Sequence, residues 1–133
     1  MTRVAVLALA LLAVLSVATH ARTALIIGNS DYPSAPLENP VNDATDIAGK
    51  LENLGFEVAV LTNSSRRDMR RAIREYSENL KRSGGVGLFY YAGHGMQIKG
   101  VNYLIPTDAV MASEFEIPDE AVSANSVLRA VED

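Results

Sequence analysis

The chain of 133 residues contains no cysteine and no tryptophan, and its histidines are only His20 and His94. Without thiols there is no disulfide framework, so stability must come from packing. A zinc site would need several carboxylates gathered from distant loops, so no metal and no cofactor is expected. Long apolar runs are missing beyond Val17, which leaves no membrane span in the body of the chain. An excess of positive charge is missing too: the formal net charge is −4, which does not favour general nucleic-acid binding. The glycine patterns fall short of a phosphate loop. Gly28-Asn29-Ser30 lacks the later glycines and the lysine, and Gly84, Gly85 and Gly87 precede a strand rather than a helix.

What is present begins with an export signal. Met1-Thr2-Arg3 is a short positive leader, Val4 to Val17 is apolar except for Ser16, and Thr19-His20-Ala21 offers small residues for a cut after Ala21. Residues 1–21 therefore read as a secretory signal peptide, with a core short for a membrane span. His20 falls within it and is not a candidate site residue. The protein is expected to be exported, periplasmic or secreted.

Residues 22–133 suit one domain. Thr23 to Gly28, Phe56 to Leu61 and Val86 to Ala92 read as strands by length and branching. Val41, Ala44, Ala48, Leu51 and Leu54 follow helical spacing between Pro40 and Gly55, with Asn39 as cap. Ser65-Arg66-Arg67-Asp68 has the form of a capping box opening a second helix, whose buried stripe is Met69, Ile73, Tyr76 and Leu80. Lys99-Gly100 reads as the turn of a small hairpin. A polar loop then leads to Ser123, the cap of a last helix holding Val127, Leu128 and Val131. The order β-α-β-α-β implies a parallel sheet with helices on both faces. Three strands make a thin sheet with one edge open. Because no fourth strand follows the last helix, the chain reads as the first part of a larger domain.

His94 is the candidate site residue. It follows Val86–Ala92, a run that reads as a strand covered on both faces, and so lies at the carboxyl end of the sheet, where open α/β sheets place ligand crevices. Imidazole suits proton transfer near neutral pH. Gly93 and Gly95 would let the backbone bend and a substrate approach. Ser30 is the one serine expected at the same sheet end, but no Gly-x-Ser-x-Gly elbow occurs. Arg66, Arg67, Arg70, Arg71, Arg74, Lys81 and Arg82 crowd one helix, whose charged face is read as solvated rather than as an anionic partner's site. The acidic residues from Asp108 to Asp133 lack the pattern of a calcium loop.

Leu25-Ile26-Ile27-Gly28-Asn29, Asn39-Pro40-Val41-Asn42-Asp43-Ala44, Leu54-Gly55-Phe56-Glu57-Val58, Tyr90-Tyr91-Ala92-Gly93-His94-Gly95 and Asn102-Tyr103-Leu104-Ile105-Pro106 occur in this order. Together they resemble the amino-terminal, large-subunit half of a caspase-like cysteine peptidase of the bacterial metacaspase-like branch. The resemblance implies an α/β, three-layer caspase-like (caspase–hemoglobinase) fold with a mainly parallel sheet, incomplete at the C-terminus. It implies that His94 is the dyad histidine and that Gly95 lends its N–H to the oxyanion hole. It also implies that Asp43 lines a specificity pocket selecting Arg or Lys before the cut. Asp43 equally reads as an early-helix acid favoured by the helix dipole.

In that family the cysteine follows a fourth strand in an Asp-Ala-Cys-like turn, and neither is found here. Two function classes stay open. One is an endopeptidase segment, inactive alone, whose cysteine comes from a downstream segment or a second chain. The other is a non-catalytic exported domain that binds basic peptides or partner proteins. Amino-terminal sequencing of the extracytoplasmic protein is expected to begin at Arg22; a protein that keeps Met1 in the cytoplasmic fraction contradicts the signal.

Overall fold

The computed structural model describes residues 20–132. The signal-peptide reading therefore lies outside the described residues, except at His20 and Ala21. The Ala21 carbonyl accepts the Val86 N–H at 2.9 Å, so a cut after Ala21 would fall at the very edge of the sheet.

Three parallel strands form the main sheet: β1 (Arg22–Gly28), β2 (Glu57–Thr62) and β3 (Val86–Ala92), in the order β2-β1-β3. Helix α1 (Pro40–Asn53) joins β1 to β2, and α2 (Arg66–Ser83) joins β2 to β3. The crossover from β1 to β2 and the one from β2 past β1 to β3 run in opposite directions across the sheet, so right-handed connections put the helices on opposite faces. The packing agrees. Ala44, Ala48 and Leu51 of α1 cover Ala24 and Ile26, while Met69, Ile73 and Tyr76 of α2 cover Leu25 and Ile27 on the other side.

The sheet corrects one expectation. The strand buried on both faces is β1, whose Ala24, Leu25, Ile26 and Ile27 are wholly inaccessible, whereas β3 is half-buried throughout after an exposed Val86. The aromatic run of β3 lies at an outer position, and β2 at the other, so among the described residues two edges of the sheet are open rather than one. The second strand also starts one residue later than expected, at Glu57.

The helix ends show local chemistry. Ser65 Oγ accepts the Asp68 N–H at 3.1 Å, as the capping box requires, and Leu80 is only half-buried at the end of the stripe. Asn39 makes no side-chain cap. Ser30, folded back from the loop after β1, accepts the Val41 N–H at 3.1 Å and does that work instead. The Tyr76 hydroxyl is buried without a partner among the described residues, and burial holds it protonated above the ordinary tyrosine range.

After β3 the chain forms a small antiparallel sheet of β4 (Gly95–Ile98), β5 (Val101–Leu104) and β6 (Val122–Ser123). Lys99 and Gly100 both have positive φ, 49° and 80°, the geometry of a tight two-residue hairpin turn. The stretch expected as a polar loop contains a 3₁₀ turn (Glu114–Glu116) and the short α3 (Ile117–Glu120) before α4 (Ala124–Glu132). Ile117 drives this: it is buried with Tyr32, Ile105 and Ala121 in a third core cluster. Ser123 Oγ accepts the Asn125 N–H at 3.2 Å at the start of α4. That helix buries Val127 and Ala130 but leaves Leu128 and Val131 facing solvent.

Leu25→Ala is expected to lower unfolding free energy in urea by about 2–5 kcal/mol, because nothing can collapse into the centre of β1. Leu128→Ala is expected to cost less than about 0.5 kcal/mol, Leu128 being 56% exposed. Equal losses would mean that β1 is not the centre of the core.

Candidate active site

Because β1 and β3 are neighbours while their following connections diverge, a crevice opens beyond their carboxyl ends. The loop after β1 and the turn after β3 form its walls. A cavity of about 340 Å³ there is lined by Tyr32, Ser34, Ala35, His94, Gly95 and Met111, among others. His94 and Gly95 are thus brought together.

Tyrosine hydroxyls hold the His94 backbone. The His94 N–H donates to the Tyr32 hydroxyl at 3.0 Å, and the His94 carbonyl accepts from the Tyr91 hydroxyl at 2.6 Å and from the Ile105 N–H at 3.0 Å. The Tyr32 hydroxyl in turn donates to the Ile105 carbonyl at 2.8 Å. Each phenol has a single proton, so with both committed this way the 3.2 Å contact between the two hydroxyl oxygens is close packing rather than a further bond. Burial first, and the Tyr32 hydroxyl second, push the Tyr91 pKa far above the ordinary tyrosine value, so it remains a donor at any neutral pH.

This network explains Gly93. A Cβ there would stand 2.6 Å from the Tyr91 hydroxyl and 2.7 Å from that of Tyr32. The space expected to admit a substrate is filled by the two tyrosines. Gly95 differs: its nearest neighbour would be the Tyr103 carbonyl at 3.5 Å, so the missing side chain leaves the crevice open beside the histidine.

The imidazole is fixed as well. Its ring centre lies 4.4 Å from that of Tyr32 at a tilted angle, and Nε2 is 2.7 Å from the Ala35 carbonyl oxygen. A carbonyl can only accept, so Nε2 carries the proton and, in the neutral ring, Nδ1 keeps the lone pair. Such a histidine can take a proton at Nδ1 and return it, while the Ala35 carbonyl stabilises the imidazolium formed in between.

The other candidates fall elsewhere. Asp43 is exposed in the first turn of α1, its N–H bonded to the Asn39 carbonyl, and it is not among the residues lining the His94 cavity. Ser30 is buried as the helix cap and does not face that cavity either. Among the described residues, no three His, Asp or Glu side chains converge as a metal site would require.

Tyr32, Ala35, Tyr91 and Asn29 were not singled out from the sequence. Buried Asn29 accepts the N–H and hydroxyl of Ser64 and donates to the Ile105 carbonyl at 3.3 Å, tying the ends of all the neighbouring loops together. A lone tyrosine inside a proline-rich loop facing the histidine's end of the sheet was the one available signal.

Comparison with known proteins agrees with this arrangement. Residues 21–131 match the family described as Caspase domain. Mucosa-associated lymphoid tissue lymphoma translocation protein 1 of Homo sapiens is 37% identical over 89 residues, which cover 66% of this chain and 11% of the human protein. Its Mus musculus homologue is 36% identical over the same length. The chain thus matches only a small part of those relatives. Since the family match runs through nearly the whole described fold, His94 crevice included, the chain belongs to the caspase-domain family as a segment of a caspase-like peptidase domain.

Proposed function

We propose that this chain carries the histidine half of a cysteine-type endopeptidase centre. The observation that supports the reading most strongly is His94 itself, with Nε2 held on the Ala35 carbonyl and its ring at a cavity shared with Gly95. In the reaction, Nδ1 takes the proton of a cysteine thiol, the thiolate attacks the peptide carbonyl, and the imidazolium protonates the leaving amine. The Gly95 N–H stabilises the oxyanion as it forms. Because the chain has no cysteine, the thiol comes from a downstream segment or a second chain. Substrates are peptides or proteins with Arg or Lys before the cut. Asp43 provides that preference through a charge-assisted contact with the basic side chain. Reaching it from the histidine cavity requires the substrate to lie along the loop between β1 and α1. The leader of residues 1–21 supports an activity outside the cytoplasm.

The missing thiol supports a second reading, a non-catalytic exported domain that holds basic peptides or partner proteins through the same Asp43.

Peptides ending in Arg, Lys or Asp separate the two when offered to this chain alone and to the chain joined to a segment bearing the family's cysteine turn. The chain alone is expected to be inert. The joined protein is expected to cleave after Arg and Lys, and His94→Ala to lower kcat by about 10²–10⁴-fold with the melting temperature unchanged. Asp43→Ala is expected to reduce the preference for Arg by about tenfold. Full activity in His94→Ala overturns the dyad; preference for Asp overturns the basic specificity. A joined protein that binds Arg peptides through Asp43 without cleaving them favours the second reading.

A further inference from the structure

A larger cavity, of about 630 Å³, lies between α2 and α4 and shares no lining residue with the histidine crevice. Arg70, Arg74 and Lys81 line it from α2 and Arg129 from α4, with Glu78 as its one acid. This concentration of positive charge stands on a chain whose net charge is −4. None of the four cations forms an ion pair among the described residues; the pair that does occur there, Arg71 with Asp68, lies outside the groove. Helix dipoles account for Lys81 and Arg129, which occupy last turns. They do not account for Arg70 and Arg74, which lie in the first half of α2, one turn apart, where like charges repel. A solvated helix face has no need to gather such residues around a concavity.

The spacing selects the ligand. From Arg70 to Lys81 the helix rises roughly 16 Å, too far for one small anion to reach both ends. An extended peptide covers that distance with about five residues. Glu78 stands between Arg74 and Lys81, where it repels a uniformly charged polymer such as a nucleic acid but accepts a neutral or basic residue. We infer that this groove binds an extended acidic peptide segment of a partner protein, its carboxylates on Arg70, Arg74, Lys81 and Arg129 and an uncharged or basic residue opposite Glu78.

The test uses the full chain and a fluorescein-labelled peptide of roughly eight residues, with alternate glutamates and one central lysine, followed by anisotropy at about 50 mM salt. Saturable binding is expected, and Arg74→Glu with Arg129→Glu should weaken it at least about tenfold. The neutral pair, Arg74→Gln with Arg129→Gln, should lose less in the same direction. Arg67→Glu with Arg71→Glu makes the same charge change on the same protein outside the groove, and should alter binding less than about twofold. Thermal melting is recorded for every variant, and the comparison uses those that melt like the parent. Equal weakening by the two Glu pairs, absence of saturable binding, or tighter binding of a single-stranded oligonucleotide than of the peptide overturns the inference. So does self-association of the parent that Arg74→Glu with Arg129→Glu abolishes, because a second copy would then be the occupant.

Discussion

The position of β1 is the constraint on which the rest depends. The middle of a strand with neighbours on both edges and helices on both faces favours apolar side chains, and Ala24 to Ile27 are all apolar and wholly buried. Each large side chain there contributes about 1.5–3 kcal/mol by leaving water. Once β1 is central, the crossover from β1 to β2 and the return from β2 past β1 to β3 run in opposite directions, so α1 and α2 lie on opposite faces and the connections that follow β1 and β3 part at their carboxyl ends. The crevice is therefore a consequence of strand order. It would exist whatever residues stood in the loops; the loops decide what it can do.

What they supply is a set of hydrogen bonds that fix a backbone before they fix a side chain. Tyr32 and Tyr91 reach the same point from a loop and a strand, and between them they satisfy the N–H and the carbonyl of His94. The ring is then aimed by a main-chain carbonyl, that of Ala35. A carbonyl cannot change protonation state at any working pH and is held by its neighbours, so it orients the imidazole without adding a second titrating group. The arrangement lies within the residues that match the caspase-domain family.

Much of the fold was legible because it rests on periodicity. The helical stripe of α2, the capping box at Ser65 and the Lys99-Gly100 turn each follow from a local rule that tertiary contacts reinforce. His94 was legible because a polar residue ends an apolar run. Strand order was not legible, since periodicity says which residues face inward but not which strand has two neighbours; β3 read as covered on both faces and is a half-buried outer strand. The segment around Ile117 was missed because one buried isoleucine among acids gives no period. The Ala35 carbonyl could not be found at all, because every residue has one and only the folded loop brings this one to the ring.

The central claim is that His94 is held with the proton on Nε2, leaving Nδ1 as the basic nitrogen. Long-range ¹H–¹⁵N correlation of the imidazole in this chain, with the pH high enough for the ring to be neutral, reads the tautomer directly. His20 is set apart by the loss of the other signal in His94→Gln. The account predicts a protonated Nε2 and a bare Nδ1. A proton on Nδ1, or an even mixture of the two tautomers, would contradict it.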